Sequence, residues 1–555
     1  MKEESSKTPV SSMGTFVRCV LWIWRRHSNS FNLRRAMSRV RATVLVLGAV
    51  FPVLAQEPAE ILIRNGVIVT ETGRLQADLR IRGGEIAEIG RNLTPARGAR
   101  TFDATGKLVL PGGIDTHVHL NPVRTPNARP GADDFESASR AALAGGITTI
   151  GAFIGQDPDV PVAQTLAEAA DAASRTTIAD AILHFTISDP AKLSPADITM
   201  LRDRGVTPKI FMRGMAFEQR LSDNLKLIEA AGKAGLLTQL HAEDAAILAG
   251  AMDRLVAEGR TALVGQNFAD SHPVEAEEVA TQRAVGFAEF TGAPIYLVHM
   301  SSERAMRVAE AARARGLPVF TEVRFIYLHL TRDAFNGPDG PTFTGAPPLR
   351  DPTDRDYLWA AIARGSVDVV NTDHVGYTRA EKMDPGNSVQ RPREGSNFLQ
   401  DQMPLLYSEG VRKGRISLER MVAVTATNPA KLFGLYPRKG VVAVGADADV
   451  VIWDPDLKRT IRDDDILSSG KFSIFSGWEV TAGRLLLSGA ARWSTRTGGS
   501  WPRRAAGDWP RELAGSGRRA SPIVASGFET EKSVIQAPPN KGMQPASGAL
   551  RLRQS

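Results

Sequence analysis

The chain has 555 residues and a formal net charge of +7, a length that admits either three or four ordinary domains or one large barrel enzyme with additions. The positive charge sits at the ends: residues 1–55 carry nine Lys/Arg against two Asp/Glu, residues 497–555 nine against four, and the body between them is slightly acidic. That speaks against a nucleic-acid-binding body, and the single cysteine, Cys19, excludes both a disulfide framework and a thiolate zinc site there.

The chain opens on what reads as an address. Arg34, Arg35, Arg39 and Arg41 precede an apolar run from Ala42 to Leu54, and Val53-Leu54-Ala55 resembles a small-residue cleavage site ahead of Gln56, the pattern of a bacterial secretory signal. Met37 offers a conventional start for it, and Arg34-Arg35 permits a twin-arginine reading. The run is short for a transmembrane helix. Residues 1–55 are therefore expected to be an N-terminal extension and signal peptide, and the body an exported, periplasmic protein without a stable membrane anchor.

From Ile61 the pattern becomes short strands with glycine turns: Ile61 to Thr70, Ala77 to Ile81, Glu85 to Ile89 and Lys107 to Leu110. Residues 56–110 thus read as the first part of a β domain. Strand–helix alternation follows, with eight strand candidates: Ile114 to His119, Thr148 to Phe153, Ala181 to Ile187, Pro208 to Met212, Leu237 to His241, Ile295 to Met300, Val319 to Val323 and Val367 to Thr372. Helical patterns lie between them, as at Asp134 to Ala144, Asp223 to Ala234, Val274 to Phe290 and Glu303 to Arg315, with Gly145, Gly235 and Gly316 as stop signals. Eight strands with helical crossovers imply an α/β fold, a (β/α)8 TIM-like barrel over residues 111–436. Strand patterns return at Ala448 to Trp453 and Arg484 to Leu487. Residues 437–495 are then the second part of the β domain, expected as a small β-sandwich built from both flanks of the chain. Residues 496–555, rich in Gly, Pro, Ser and Arg, read as a disordered tail.

In such a barrel, catalytic side chains sit where strands end. His117 and His119 in Pro111 to Leu120 are two residues apart, so both imidazoles leave the same face of their strand. The same rule collects Lys209 on the fourth strand, His241 after the fifth, His299 after the sixth and Asp373 after the eighth. Four imidazoles and a carboxylate suit zinc or a similar divalent ion. Supporting positions are expected for His184 and His374, and surface positions for His272 and His329.

With these residues in place the chain resembles the amidohydrolase superfamily and, within it, the hydantoinase and dihydropyrimidinase branch, related to the dihydroorotases. The matching segments are Pro111 to Leu120, Ala132 to Glu136, Ala141 to Gly146, His241-Ala242-Glu243, Val298 to Ser302, Pro347 to Arg350, Thr372-Asp373-His374, Asn428 to Lys431 with Phe433-Gly434-Leu435, and Gly445 to Asp449. The resemblance implies a metal-dependent enzyme that hydrolyses the C–N bond of a cyclic amide or imide. It implies two divalent ions, zinc expected, bridged by Lys209 carboxylated on its side-chain amine. His117, His119 and Asp373 would hold one ion, and His241 and His299 the other. It further implies attack by a hydroxide bridging the ions, proton transfer through Asp373, a small-molecule cyclic amide as partner, and a homo-oligomer.

The resemblance breaks around substrate recognition. Relatives carry a tyrosine five residues after the bridging lysine, where this chain has Gly214 preceded by Arg213. Their serine ahead of Pro-Pro-Leu-Arg is Ala346, and their later Asn-Gly segment is replaced by Pro392 to Asn397. A dihydroorotase-like chain would show an arginine at Asn121. Asn121, Arg213, Ala346 and Asn397 are accordingly the expected substrate contacts, with Arg213 or Arg124 available to a substrate carboxylate. The alternatives are an open-chain amide or dipeptide hydrolase of the same superfamily, and a non-catalytic scaffold protein on this fold. The second would be expected to have lost ligands, and all six are present here. A one-metal deaminase would lack the lysine.

Overall fold

In the computed structural model, which describes residues 60–120 and 133–488, the strands Gly113–His119, Ile147–Gly155, Asp180–Thr186, Thr207–Phe211, Thr238–His241, Ile295–Leu297, Val319–Arg324 and Val369–Asn371 pair in that order, all in parallel. The short strand His374–Val375 then pairs with the first strand, His374 opposite Val118, and closes the barrel. Period-two alternation divides each strand. Ile150, Ala152 and Ile154 join the core that also holds Phe135, Ala138 and Ala142 of the helix Phe135–Gly145, whereas the alternate set lines the barrel interior. That interior is layered: Leu237, Tyr296, Phe320 and Val369 form an apolar base closed by Leu432 and Phe433. One period further along the same strands come Gln239, Glu322 and Asn371, and then the mouth. Gly151 is required here, because a Cβ would fall 2.6 Å from His184 Nε2.

The helices follow the expected spans. Phe135–Gly145 starts on a capping box between Asp134 and Ser137 and ends on Gly146 at φ 93°, one residue beyond the glycine expected to stop it. The sixth and eighth strands are shorter than their apolar runs, because His299 (φ 41°) and Asp373 (φ 51°) turn the backbone left-handed just beyond them.

The flanks build a second sheet in the order Glu479–Ser488, Val450–Thr460, Leu108–Pro111, Ile61–Val69, Arg74–Arg82, Glu85–Gly90. An additional strand, Arg100–Asp103, pairs in parallel with the start of Ile61–Val69; its polar sequence gives no alternation to read. The expected sandwich thus takes the form of one continuous seven-stranded sheet, with its own core of Ile63, Leu79, Ile86, Val109, Val450 and Ile452 among others. Between its last two strands, residues 461–478 leave the sheet and reach the barrel, where Ser469 N donates to Asp133 Oδ1 (2.7 Å) and Ser473 Oγ to Asp401 Oδ2 (2.6 Å). The expected signal region 1–55, the expected tail 496–555, Asn121 and Arg124 lie outside the described residues.

Candidate metal centre and active site

Strand ends bring the expected residues to one mouth. His117 Nε2 and His119 Nε2 lie 3.1 and 3.2 Å from Asp373 Oδ1, and one ligand atom from each of the three residues falls within 4.8 Å of the others. His299 stands beside them, its ring 5.5 Å from that of His117 and 4.4 Å from that of His241. Lys209 joins the two groups. Its Nζ is 5.0 Å from the Phe153 ring, against which His117 and His119 pack, and 5.2 Å from the Phe211 ring, against which His241 packs.

Buried carboxylates orient these imidazoles. His117 Nδ1 donates to Glu322 Oε1 (2.7 Å), so Nε2 keeps its lone pair. His241 Nε2 donates to Glu243 Oε2 (2.7 Å), which leaves Nδ1 free to ligate. A ligand imidazole whose other nitrogen is anchored on a carboxylate is the arrangement that fixes tautomer and direction in metal sites. Glu322 receives three further donors: His299 N (3.0 Å) on Oε1, and Tyr296 OH (2.9 Å) and Asn371 Nδ2 (2.7 Å) on Oε2. His299 and Asp373 are two of the five described non-glycine residues with a left-handed backbone, each costing about 1–3 kcal/mol. The first is held through its backbone N–H by Glu322, the second through its carboxylate by the histidines and by Arg324, whose Nε lies 3.4 Å from Oδ2.

The electrostatics ask for a cation among the histidines and an anion at the lysine. Burial would raise the Asp373 carboxyl, but Arg324 and His117 hold it well below its usual range. Burial drives His241 down to about 4, against the pull of Glu243. Lys209 is fully buried, and burial brings its ammonium down to about 8. Among the described residues its Nζ has no hydrogen-bond partner, and neither does His299 Nδ1. An orphaned buried amine is costly. Such an amine, part of it neutral near pH 7, has the chemistry to take up carbon dioxide and become an anionic carbamate. The donor set therefore fits a two-ion centre.

The remaining histidines divide. His184 is buried below the centre with Nδ1 on Thr207 Oγ1 (2.6 Å). His374 faces away, with Nε2 on Asp133 Oδ2 (2.9 Å) and Nδ1 accepting from Phe398 N. Both support neighbours of the centre, as expected. His272 and His329 are not the surface residues expected. His272 is buried, with Nδ1 on Ser271 Oγ and Nε2 3.9 Å from Glu394, while His329 sits among the rings of Phe325, Trp359, Phe475 and Trp478. Groups from distant segments stand over both, Glu394 beside His272 and the rings of Trp359, Phe475 and Trp478 around His329.

Among the expected substrate contacts, Arg213 reaches the mouth but is paired, its Nη2 2.9 and 3.0 Å from the Glu394 oxygens and its Nη1 3.9 Å from Glu243. Ala346 is buried ahead of cis-Pro347. Asn397 does not offer its amide to the mouth: Nδ2 donates to Tyr377 O and Phe472 O, and Oδ1 accepts from Ser468 Oγ. The arrival of residues 461–478 is what engages it. Sequence reading gave no role to Glu322 or Arg324, although a signal existed. In Val319–Arg324 the alternate set is Phe320, Glu322, Arg324, two charges on the inner face of a strand that is otherwise mostly apolar. It also gave none to Lys382, whose buried Nζ donates to Thr344 O (2.9 Å), Thr344 Oγ1 (2.8 Å), Gly395 O (2.7 Å) and Arg393 O, tying together the segments that carry Ala346 and Glu394.

A model of the amidohydrolase family matches residues 108–478. D-hydantoinase of Ralstonia pickettii is 37% identical over 427 residues, 76% of this chain and 92% of that protein. D-phenylhydantoinase of Escherichia coli is 34% identical over 423 residues, 75% and 90%. Among solved structures, D-hydantoinase (dihydropyrimidinase) from Thermus sp. superposes with a TM-score of 0.73 at 31% identity, covering 80% of this chain and 97% of that one.

Proposed function

Because this chain belongs to the amidohydrolase family, we propose that it is a hydrolase that opens the C–N bond of a cyclic amide with the help of two divalent metal ions, zinc foremost. The observation that carries this reading is the convergence of His117, His119, Lys209, His241, His299 and Asp373 on one mouth, with Glu322 and Glu243 orienting two of the imidazoles. His117, His119 and Asp373 would hold one ion, His241 and His299 the other. Lys209, its neutral amine converted by carbon dioxide to a carbamate with loss of one proton, would face both. When bound, the ions would acidify a water and polarise the amide carbonyl.

The chain's own residues do the rest. The side chain of His119, 30% exposed against 10% for Asp373 and none for His117, marks the side from which substrate enters. The water oxygen bonds to the amide carbon. One of its two protons passes through the Asp373 carboxylate to the leaving nitrogen as the C–N bond breaks and the other is released, giving a carboxylate and a free amine or ureido nitrogen. Arg213 and Ala346 are the proposed substrate contacts among the described residues, and Asn121, outside them, is proposed with them on its sequence position alone. Export is supported by the basic-then-apolar run ending at Leu54, and assembly as a homo-oligomer by analogy within the family; fractionation and light scattering test these two.

The deciding experiment measures metal content and ring-opening of hydantoin, dihydrouracil, allantoin and dihydroorotate by protein loaded with zinc and bicarbonate. Turnover that disappears in Lys209→Ala and Asp373→Ala is the expected result. Two bound ions with no turnover of any ring would redirect the reading to open-chain amides, and no bound ion would favour the scaffold reading.

A further inference from the structure

Of the guanidinium groups of Arg213 and Arg324 at the mouth, only the first has, among the described residues, an anion outside the proposed metal ligands. Arg213 is bonded to both oxygens of Glu394. The ammonium of Lys382 is surrounded by carbonyl and hydroxyl oxygens, and Glu243 and Glu322 receive imidazole donors. Arg324, the last residue of the seventh strand, is 2% exposed. Its guanidinium lies 5.1 Å from the Phe398 ring and 5.9 Å from that of Tyr327, and its Nε donates to Thr372 O (3.3 Å). Among the described residues its one ion pair is with Asp373. Under the proposed function Asp373 is a metal ligand, so its charge is drawn toward the ions once they are bound. The guanidinium then remains as a buried cation with no anion of its own, a costly state unless another anion arrives.

The position of its terminal nitrogens says where that anion would come from. A Cβ on Gly345 would collide with Arg324 Nη1 and lie 3.0 Å from Nη2. The fork therefore lies against the backbone just before Ala346, on the wall where this chain has no side-chain hydroxyl to offer a ring. We infer that Arg324 reads the substrate, its guanidinium receiving an ionised carboxylate carried by the ring, so that the substrate is a carboxylate-bearing cyclic amide. The planar fork matches a carboxylate through two parallel N–H donors. Enclosure by Phe398 and Tyr327 keeps water from competing. Arg213 is less suited to this task, because Glu394 would stand beside the incoming carboxylate and repel it.

The inference rests on the cyclic-amide reading, and its test separates the two. Matched rings that differ only in the charged group are compared on the zinc-loaded full chain: hydantoin with hydantoin-5-acetate, and dihydrouracil with dihydroorotate. For the better pair, kcat/KM is expected to favour the carboxylate member by tenfold or more, the range of one charge-assisted recognition contact. In Arg324→Met that ratio is expected to collapse at least tenfold, chiefly through KM, and Arg324→Lys is expected to retain part of it, since it keeps the charge without the fork. Metal content and melting temperature identify a variant that has merely lost its fold, and the lysine variant then carries the comparison. Wild-type preference for both uncharged rings, or a ratio unchanged in a folded Arg324 variant, overturns the inference while leaving the cyclic amidohydrolase intact. If no ring is opened, calorimetric binding of the same pairs still decides it: tighter binding of a carboxylate member, weakened in Arg324→Met, supports the inference, and equal or weaker binding of both overturns it.

Discussion

Glu322→Gln changes one oxygen to NH2 and almost no volume, so its effect isolates the hydrogen-bond logic of the buried carboxylate. Four donors converge there, two on each oxygen. On Oε1 the backbone N–H of His299 cannot become an acceptor. On Oε2 the amide of Asn371 cannot turn round, because its Oδ1 already accepts from Thr116 N (3.2 Å) and its Nδ2 also donates to Thr116 Oγ1 (2.8 Å). Whichever way the glutamine amide is placed, its NH2 therefore faces a fixed donor. One buried donor is orphaned, at roughly 1–3 kcal/mol, and the surviving bonds lose charge assistance, at about 1 kcal/mol each. The sum is about 4 kcal/mol, a large part of a typical folding free energy. There is a further consequence for the centre. Placing NH2 beside His117 invites the imidazole to accept at Nδ1 and carry its proton on Nε2, the nitrogen that faces Asp373 and a metal; metal affinity is expected to fall 10- to 100-fold. Denaturant unfolding with and without zinc, equilibrium zinc titration, and 15N shifts of His117 check the three parts. A variant within about 1 kcal/mol of wild type that binds zinc equally well would refute the reasoning.

Three further outcomes are expected. Asp401 is fully enclosed, and burial lifts its carboxyl to about 6 against the bond from Ser473. The folded form holds its proton where the unfolded form has lost it, so the stability this residue contributes is complete below pH 3.8 and declines as pH rises through about 6. Asp401→Asn is therefore expected to raise stability by up to about 3 kcal/mol at pH 8 and by little near pH 4, as melting curves across that range will show. Lys382→Met leaves the Gly395 carbonyl without its donor, while Thr344 O keeps the Gly395 N–H; a loss of roughly 1–3 kcal/mol is expected in denaturant unfolding. Steady-state kinetics should show a larger rise in KM than fall in kcat, because the two tied segments carry Ala346 and Glu394 rather than the metal ligands. Removing metal with a chelator is expected to lower the melting temperature reversibly, by the equivalent of about 4 kcal/mol when free zinc stood at a thousandfold its dissociation constant. The drop should be much smaller in Lys209→Ala; an equal drop there would place the lysine outside the centre.

Much of the architecture was legible because it is periodic. Eight apolar runs with helical patterns between them point to a parallel sheet of the barrel's strand number, and His117 and His119 two residues apart must share a face. Local chemistry settled the helix ends too, as at the Asp134–Ser137 capping box. What the sequence determined by itself was thus the barrel, the order of its strands, and the residue types gathered at one mouth. Position in three dimensions decided the rest. His272 and His329 were assigned to the surface from loop positions, but burial depends on which distant segments pack over a residue, and Glu394, Trp359 and Phe475 are supplied from elsewhere. Asn397 reads as a substrate contact until residues 461–478 return from the sheet and engage its amide. The pairings of Arg213 with Glu394 and of Lys382 with four oxygens cross spans of 181 and of 11 to 38 residues, and no local pattern encodes such partners. Only the tertiary structure could distinguish a cation already matched from one still lacking an anion, because Coulomb and hydrogen-bond energies depend on distance in space and not on separation along the chain.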